Sequence, residues 1–376
     1  MEDVKWIARI ELLSPLHIGT GTKLLEGIDW IQSGGHVYVA NQDVLLEAVF
    51  DRAGEEGRSE ASVARAIAGM TLKDMMDAGY LTKEDFAEGS SLFRYRLKGG
   101  PAMNQIGEQI KDVFGRPYLP GSSLKGALRT VLAVGGATVQ KLRFESVGRS
   151  RSWAAQPVER ELFGCNPNYD LLRALQVSDS GPVGAECLGL ERVNIYPTAG
   201  KQTRYGPQRG LDVDVETLLP GTTFQMPIKI EGYLFGDRAE RELRFGKRKE
   251  WLLNLPRYAR QVAGLRLADE IDFFRPRKDG QVVLGFYSRL VQTWDKLAEN
   301  EFLLQVGWGT GWLSKTFGKL LQQDPEAFER LVSDYRMTME RGRKPGDPFP
   351  RSRHLVRRGE HPALPLGWVK ITVERS

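Results

Sequence analysis

Cysteine is scarce in this sequence. Only Cys165 and Cys187 occur among 376 residues. Two thiols supply neither a disulfide framework nor the four ligands of a structural zinc site. Because 41% of the residues are hydrophobic, an ordinary apolar core is available instead. We therefore predict a globular fold without disulfides or bound metal.

Long apolar runs are also missing. No stretch of roughly eighteen apolar residues occurs, which is the length that a membrane-spanning helix needs. The N-terminal residues Met-Glu-Asp-Val-Lys-Trp lack the apolar segment of a secretory signal. We expect a cytoplasmic protein without membrane contact.

The net charge is small for a chain of this length. Lysine and arginine number 53 against 48 aspartate and glutamate residues, which gives a formal charge of +5. Such a balance allows a nucleic-acid partner without requiring one. Glycine is abundant instead, with 41 residues against a usual fraction of roughly 7%. The sequence therefore predicts many turns and close backbone approaches.

The pattern along the chain predicts an α+β fold with antiparallel sheets. Strands are predicted at 4–13, 28–31, 36–39, 175–178, 188–196, 222–231, 303–306 and 366–373. Helices are predicted at 44–50, 122–134 and 283–299, and residues 52–116 form a mostly helical insertion. Pro220 and Gly221 suggest a boundary between domains 1–220 and 221–376. Strands, glycine loops and helices recur in this order in both halves, which argues against a continuous β/α winding.

Residues 118–130, Tyr-Leu-Pro-Gly-Ser-Ser-Leu-Lys-Gly-Ala-Leu-Arg-Thr, form the most informative segment. Ser122 or Ser123 is predicted to cap a helix. Lys125 and Arg129 are four residues apart, so they share one face of that helix. Hydroxyls, backbone N–H groups and cations together suit phosphate. The alternatives are a solvated helix face or an ion pair between Lys125 and a carboxylate.

Neither glycine-rich motif fits a nucleotide-binding fingerprint. Gly121 and Gly126 have the spacing of a Walker A loop, but Ala127 stands where lysine is required. The later loop, Gly307-Trp-Gly-Thr-Gly311, has Trp312 in place of the final glycine of a dinucleotide site. We therefore predict no cofactor, although Lys315 is placed to meet a phosphate.

Several segments together resemble one known family, the RAMP superfamily of CRISPR systems. They are residues 17–21 (His-Ile-Gly-Thr-Gly), 119–129, 177–179 (Val-Ser-Asp), 190–194 (Leu-Glu-Arg-Val-Asn), 307–311, 353–356 (Arg-His-Leu-Val) and 365–369 (Pro-Leu-Gly-Trp-Val). Their order and the C-terminal segments are most similar to the single-copy subunit of the type III-A (Csm) effector complex. The resemblance implies ferredoxin-like, RNA-recognition-motif-like modules, although no adjacent aromatic pair marks a base-stacking surface.

The resemblance also implies a function. It implies a non-catalytic subunit that binds the 3′ part of the CRISPR RNA (crRNA), caps the row of RAMP backbone subunits and contributes to crRNA maturation, with host nucleases as further partners. Single-stranded guide RNA would be held by phosphate and 2′-hydroxyl contacts whatever its sequence. The predicted RNA contacts are His17, Gly19, Gly21, Lys23, Ser122, Ser123, Lys125, Arg129, Lys201, Arg204, Arg209, Gly307, Gly309, Gly311 and Lys315. For the basic loop at 199–210, a solvated loop is the alternative.

Other interpretations remain open. His17 or Asp29 would serve a RAMP-type endoribonuclease, His17 as a general acid or base and Asp29 with a metal. Asp212, Asp214 and Glu216 alternate, so they share one face of an extended segment. That face either collects Mg²⁺ or is a solvated strand edge. A related type III-B subunit and an α+β scaffold without an RNA role are the remaining alternatives.

Overall fold

The computed structural model describes residues 2–87, 89–99, 104–140, 153–197, 212–337 and 344–376. Within these ranges the strands are β1 Val4–Leu12, β2 Gly19–Leu25, β3 Trp30–Ser33, β4 His36–Ala40, β5 Phe93–Lys98, β6 Gln105–Gln109, β7 Leu175–Val177, β8 Leu188–Pro197, β9 Val213–Leu218, β10 Thr223–Ile230, β11 Glu301–Gln305, β12 Ser352–Arg358, β13 His361–Pro365 and β14 Trp368–Arg375. The α-helices in the same ranges are α1 Gln42–Glu55, α2 Glu60–Ile67, α3 Leu72–Asp77, α4 Gly121–Gln140, α5 Gln156–Phe163, α6 Asp237–Leu243, α7 Lys249–Leu253, α8 Leu255–Phe274, α9 Gln281–Asp295, α10 Gly311–Lys315, α11 Gly318–Leu321 and α12 Pro325–Asp334.

A five-stranded sheet has the order β11-β14-β1-β10-β7. All of its neighbouring strands are antiparallel. Along the chain, β1, α4, β7, β10, α8 and β14 follow the β-α-β-β-α-β order of a ferredoxin-like module. The predicted α+β fold with antiparallel sheets is therefore confirmed.

The central strand β1 shows why this sheet forms. Trp6, Ala8, Ile10 and Leu12 are all buried, while the residues between them are more exposed. Period-2 burial places one face of β1 in the core that α4 and α8 cover. The predicted alternation over 4–13 is confirmed, and the other predicted strands agree with the structure to within a residue or two.

A second sheet has six strands in the order β13-β12-β8-β9-β6-β2. Its strands are antiparallel except for the β6–β9 pair. Gly19 and Gly21 belong to β2, at the edge of this sheet, where a loop was predicted. The register between Gly19 and Lys23 is irregular, so the glycines interrupt the pairing at this edge.

The predicted insertion, 52–116, contributes α2, α3 and β5 to a small unit with its own core that begins earlier, at β3, and is called the insertion below. Strands β3, β4 and β5 form a three-stranded sheet that packs with α1, α2 and α3. The prediction of a mostly helical segment over 52–116 was wrong for β5 and β6. In β5, buried Phe93, Tyr95 and Leu97 alternate with exposed basic residues, which is a strand pattern.

The predicted boundary near residue 220 lies between β9 and β10. Both large sheets combine strands from before and after it. The division into domains 1–220 and 221–376 stays a prediction. Across the described ranges, none of the helices has the length and apolarity needed to cross a membrane.

Candidate functional site

Three glycine-bearing segments surround one open cavity of about 740 Å³. They are the start of β2, the first turns of α4 and the loop between β11 and α10. The lining residues are His17, Ile18, Gly19, Gly21, Thr22, Lys23, Gly107, Glu108, Ser122, Ser123, Gly126, Ala127, Thr130, Val213, Val215, Gln305, Val306, Gly307, Trp308, Thr310, Ser314 and Lys315. Residues that are nearly 300 positions apart in the sequence therefore share one concave surface.

The predicted contact residues separate into three groups. Those that line the cavity are His17, Gly19, Gly21, Lys23, Ser122, Ser123, Gly307 and Lys315. Those that lie outside its lining are Lys125, Arg129, Gly309 and Gly311. Lys201, Arg204 and Arg209 lie outside the described residues.

The loop after β11 is locked to the segment around His17. The N–H of Trp308 donates a hydrogen bond of 2.8 Å to the main-chain oxygen of His17. Gly307 has φ of +88°, and a Cβ there would lie 2.5 Å from that same oxygen. Both its backbone conformation and this close approach therefore require glycine.

The start of α4 is capped differently from the prediction. Ser123 N–H and Leu124 N–H donate to the carbonyl oxygen of Pro120, so neither serine is the N-cap. The N–H of Gly121 donates 2.7 Å to a carboxylate oxygen of Asp179. A Cβ on Gly121 would lie 2.2 Å from the oxygen of Val177. A distant segment therefore caps the helix, because glycine lets the two backbones approach closely.

Serines of this first turn face the cavity, whereas the predicted cations do not. Arg129 donates to Asp170 at 2.8 Å and to Glu159 at 3.0 Å. Its guanidinium also lies 4.3 Å from the centre of the Phe163 ring. Lys125 is half-buried, and burial lowers the pKa of its ammonium group. An ion pair with a carboxylate was the alternative given for Lys125. On this helix it is Arg129 that forms such pairs.

His17 lies at the inner wall of the cavity and is 5% exposed. Its Nδ1 lies 2.7 Å from the main-chain oxygen of Glu216 on β9. The Trp308 ring packs edge-on against the imidazole, with 5.7 Å between centroids. Burial, with a smaller contribution from nearby Lys111, holds the pKa of His17 below its ordinary value.

A family model for the RAMP superfamily matches residues 9–314. The chain belongs to the RAMP superfamily. The predicted family is therefore confirmed, and the glycine-bearing segments that carried the prediction lie around the cavity.

A curated RAMP relative is similar over a short part of the chain. The CRISPR system Cms protein Csm5 of Streptococcus thermophilus is 39% identical over 87 residues. That match covers 22% of this chain and 23% of the relative, less than a quarter of the relative's length.

Two solved structures show the same fold over nearly the whole chain. One chain of a Csm–crRNA–target RNA ternary complex from a type III-A CRISPR-Cas system has a TM-score of 0.69 and 22% identity, with 98% of this chain and 100% of that chain covered. The crystal structure of T. onnurineus Csm5 has a TM-score of 0.67 and 22% identity, with 96% and 99% covered. The fold of this chain is therefore similar to that of a subunit of a type III-A complex, as the sequence predicted.

The RAMP segment 190–194 lies on β8, and its polar side chains meet acidic residues on β9 and directly before it. Arg192 pairs with Asp214 at 3.0 Å, and Asn194 bonds to Asp212. Asp212 also pairs with Arg357 at 2.7 Å. Asp214 is 2% exposed, so the solvated-edge interpretation was wrong for the buried part of this row.

Glu216 is the most deeply buried member of the acidic row, with 0% exposure. Its carboxylate accepts hydrogen bonds from Tyr95 Oη at 2.7 Å and from Gln109 N–H at 2.9 Å. Lys111 forms an ion pair with it. Cations and hydrogen-bond donors of the protein therefore satisfy the three carboxylates of this acidic row. Within the ranges that the structure covers, no group of three His, Cys, Asp or Glu residues is placed to hold a metal ion.

Asp29 does not line the cavity. Its carboxylate accepts a 2.8 Å hydrogen bond from Leu25 N–H and a 3.2 Å bond from Gln42 Nε2. These contacts are those of a carboxylate that orders a turn.

Two exposed lysines supply the positive charge of the RAMP cavity. Lys23 lies on β2 and Lys315 on α10, and both line it. Glu108 lines it as well and accepts from Thr20 Oγ1 at 3.1 Å. Gly107 on β6 lines the cavity but was not among the predicted contacts, although a glycine inside a strand often marks a close approach.

Proposed function

We propose that this chain is a non-catalytic crRNA-binding subunit of a type III-A CRISPR effector complex. The observation that carries the proposal is this cavity, because it collects the three glycine-bearing segments of the RAMP family in one place. The names of the similar proteins support it, since they are Csm5 and a Csm complex with crRNA and target RNA.

The cavity suits a single strand that is bound without regard to its sequence. Lys23 and Lys315 offer charge to phosphates, and Ser122 and Ser123 offer hydroxyl groups. Glycines on three sides let phosphate and ribose approach the main chain. Such contacts hold a guide whose sequence varies, which is the requirement for crRNA.

The proposed place of the subunit is at the 3′ part of the crRNA, where it caps the row of RAMP backbone subunits. The insertion is our proposed contact for a neighbouring type III-A subunit, because it has its own core and a three-stranded sheet separate from the two large sheets. A role in crRNA maturation through host nucleases belongs to the same proposal.

One incubation with two readouts tests the proposal. The purified chain is mixed with end-labelled single-stranded RNA, with and without Mg²⁺, and analysed on native and denaturing gels. We expect shifted, intact RNA. The double variant Lys23→Gln, Lys315→Gln should weaken the shift and reduce its salt dependence. The matched control is Lys296→Gln, since Lys296 is exposed and does not line the cavity.

The same experiment tests the endoribonuclease alternative. Discrete cleavage that disappears in His17→Ala or Asp29→Ala would contradict the non-catalytic role. Absence of any shift at moderate salt would contradict RNA binding by the isolated chain and favour the scaffold alternative.

A further inference from the structure

One nitrogen of the His17 imidazole is hydrogen-bonded to another part of the protein. Nδ1 lies 2.7 Å from the main-chain oxygen of Glu216. A carbonyl oxygen only accepts hydrogen bonds, so Nδ1 carries the proton and donates. In the neutral ring, Nε2 then presents a lone pair. Burial and Lys111 lower the pKa of His17, which favours this neutral form at pH 7.

Two glycines leave space in front of Nε2. A Cβ on Gly19 would lie 2.8 Å from Nε2, and a Cβ on Gly107 would lie 3.7 Å from it. Neither glycine has a positive φ, so left-handed backbone does not explain them. Both line the cavity, as His17 does. The missing side chains therefore keep Nε2 open toward the cavity.

Because Nε2 of the neutral ring is a hydrogen-bond acceptor, only some RNA groups can bind to it. A lone pair needs a hydrogen-bond donor, whereas phosphodiester oxygens only accept. His17 is 5% exposed, so the group that reaches it has to be small. The ribose 2′-hydroxyl is small, donates, and is present on every nucleotide of RNA and on none of DNA.

We propose that Nε2 of His17 accepts a hydrogen bond from a ribose 2′-hydroxyl, so that the cavity selects RNA over DNA. The inference rests on the proposed RNA-binding function and names the group that one residue recognises.

The test compares RNA and DNA strands of one sequence on the full chain. His17→Asn is the first variant, because an asparagine amide is suited to replace the Nδ1 donor to Glu216 and lacks an acceptor at the Nε2 position. We expect RNA affinity to fall about 3- to 10-fold and DNA affinity to stay unchanged. An RNA with a single 2′-deoxy substitution at the contacting nucleotide should show the same loss with the wild-type protein and no further loss with the variant.

Gly19→Ala is a second variant, which leaves His17 intact and places a methyl group against Nε2. Like His17→Asn, it should lower the ratio of RNA affinity to DNA affinity. Gly54→Ala is its control, because Gly54 on α1 does not line the cavity and an added Cβ there meets no atom within 4 Å.

An equal loss of RNA and DNA affinity in His17→Asn, or no change in either, would overturn the 2′-hydroxyl contact while leaving RNA binding in place. If the wild-type chain bound neither strand, the proposed function itself would fail. The two failures are therefore distinguishable.

Discussion

The carboxylate of Glu216 and the hydroxyl of Tyr95 are joined by a 2.7 Å hydrogen bond between β9 and β5. This bond connects the three-stranded sheet of the insertion to the six-stranded sheet beside the cavity. The main-chain oxygen of Glu216 also accepts from His17. Glu216 therefore links the insertion, its ion-pair partner Lys111 and the cavity wall at His17.

Removing the Glu216 charge is expected to destabilise the fold strongly. In Glu216→Gln, the Lys111 ammonium loses its nearer charged partner and keeps only Glu108, at 3.7 Å, while its side chain is only 6% exposed. Breaking one partner of a buried pair costs about 3–5 kcal/mol. Tyr95→Phe removes one hydrogen bond and should cost less, about 1–3 kcal/mol. Urea unfolding of both variants measures the difference, and equal losses would contradict the role of the ion pair.

Arg129→Ala tests what the outer face of α4 does. The variant loses the ion pairs with Glu159 and Asp170 and the contact with Phe163. Because the side chain is 31% exposed, we expect a loss of about 1 kcal/mol in unfolding free energy. RNA affinity of the folded variant should be unchanged. A tenfold weaker gel shift with unchanged stability would instead support the sequence-based prediction that Arg129 contacts RNA.

Gly307→Ala should disrupt the cavity wall more than Gly311→Ala. Both glycines have positive φ, +88° and +81°. The alanine Cβ at 307 would lie 2.5 Å from the His17 oxygen, whereas at 311 it meets nothing within 4 Å. Gly311→Ala is therefore the control, and its expected cost is only the backbone strain of about 1 kcal/mol. Thermal unfolding and RNA gel shifts of the two variants measure the difference. Equal melting temperatures and equal RNA affinities would contradict the close approach of Gly307 to His17.

Stability should fall as the pH drops below about 6.5, the ordinary pKa of histidine. Burial lowers the pKa of both His17 and His354 in the folded protein, with Lys111 and Lys315 contributing to the respective shifts. The unfolded chain therefore binds protons first, and the stabilisation is lost as the pH falls toward the lowered folded values. Urea midpoints between pH 7 and pH 5 measure the decline, and the double variant His17→Asn, His354→Asn should show a smaller one.

Most strands and the family could be predicted from the sequence because both depend on local patterns. Alternation on β1 and short glycine motifs are visible without the fold. By contrast, α8 was not predicted, since its inward side carries Arg266 and Glu270, both buried. Charged residues on a buried side remove the apolar periodicity that marks a helix. Within the insertion, β3 and β4 were predicted, whereas β5 was missed among the glycines and polar residues of a segment predicted as helical.

The cavity was predictable in part. Its three glycine-bearing segments were identified separately, but their meeting depends on strand order. The direction of Arg129 was not predictable, because it depends on Asp170 and Glu159, which lie on other elements. Periodicity shows which residues share a helix face and not what that face contacts.

Photo-crosslinking shows directly whether RNA occupies this cavity. A type III-A complex containing this chain would be assembled on crRNA with 4-thiouridine near its 3′ end, irradiated, and mapped by mass spectrometry. We expect crosslinked peptides from residues 17–23, 122–130 and 305–315. Crosslinks confined to α1, α2 and α3 of the insertion would contradict this expectation.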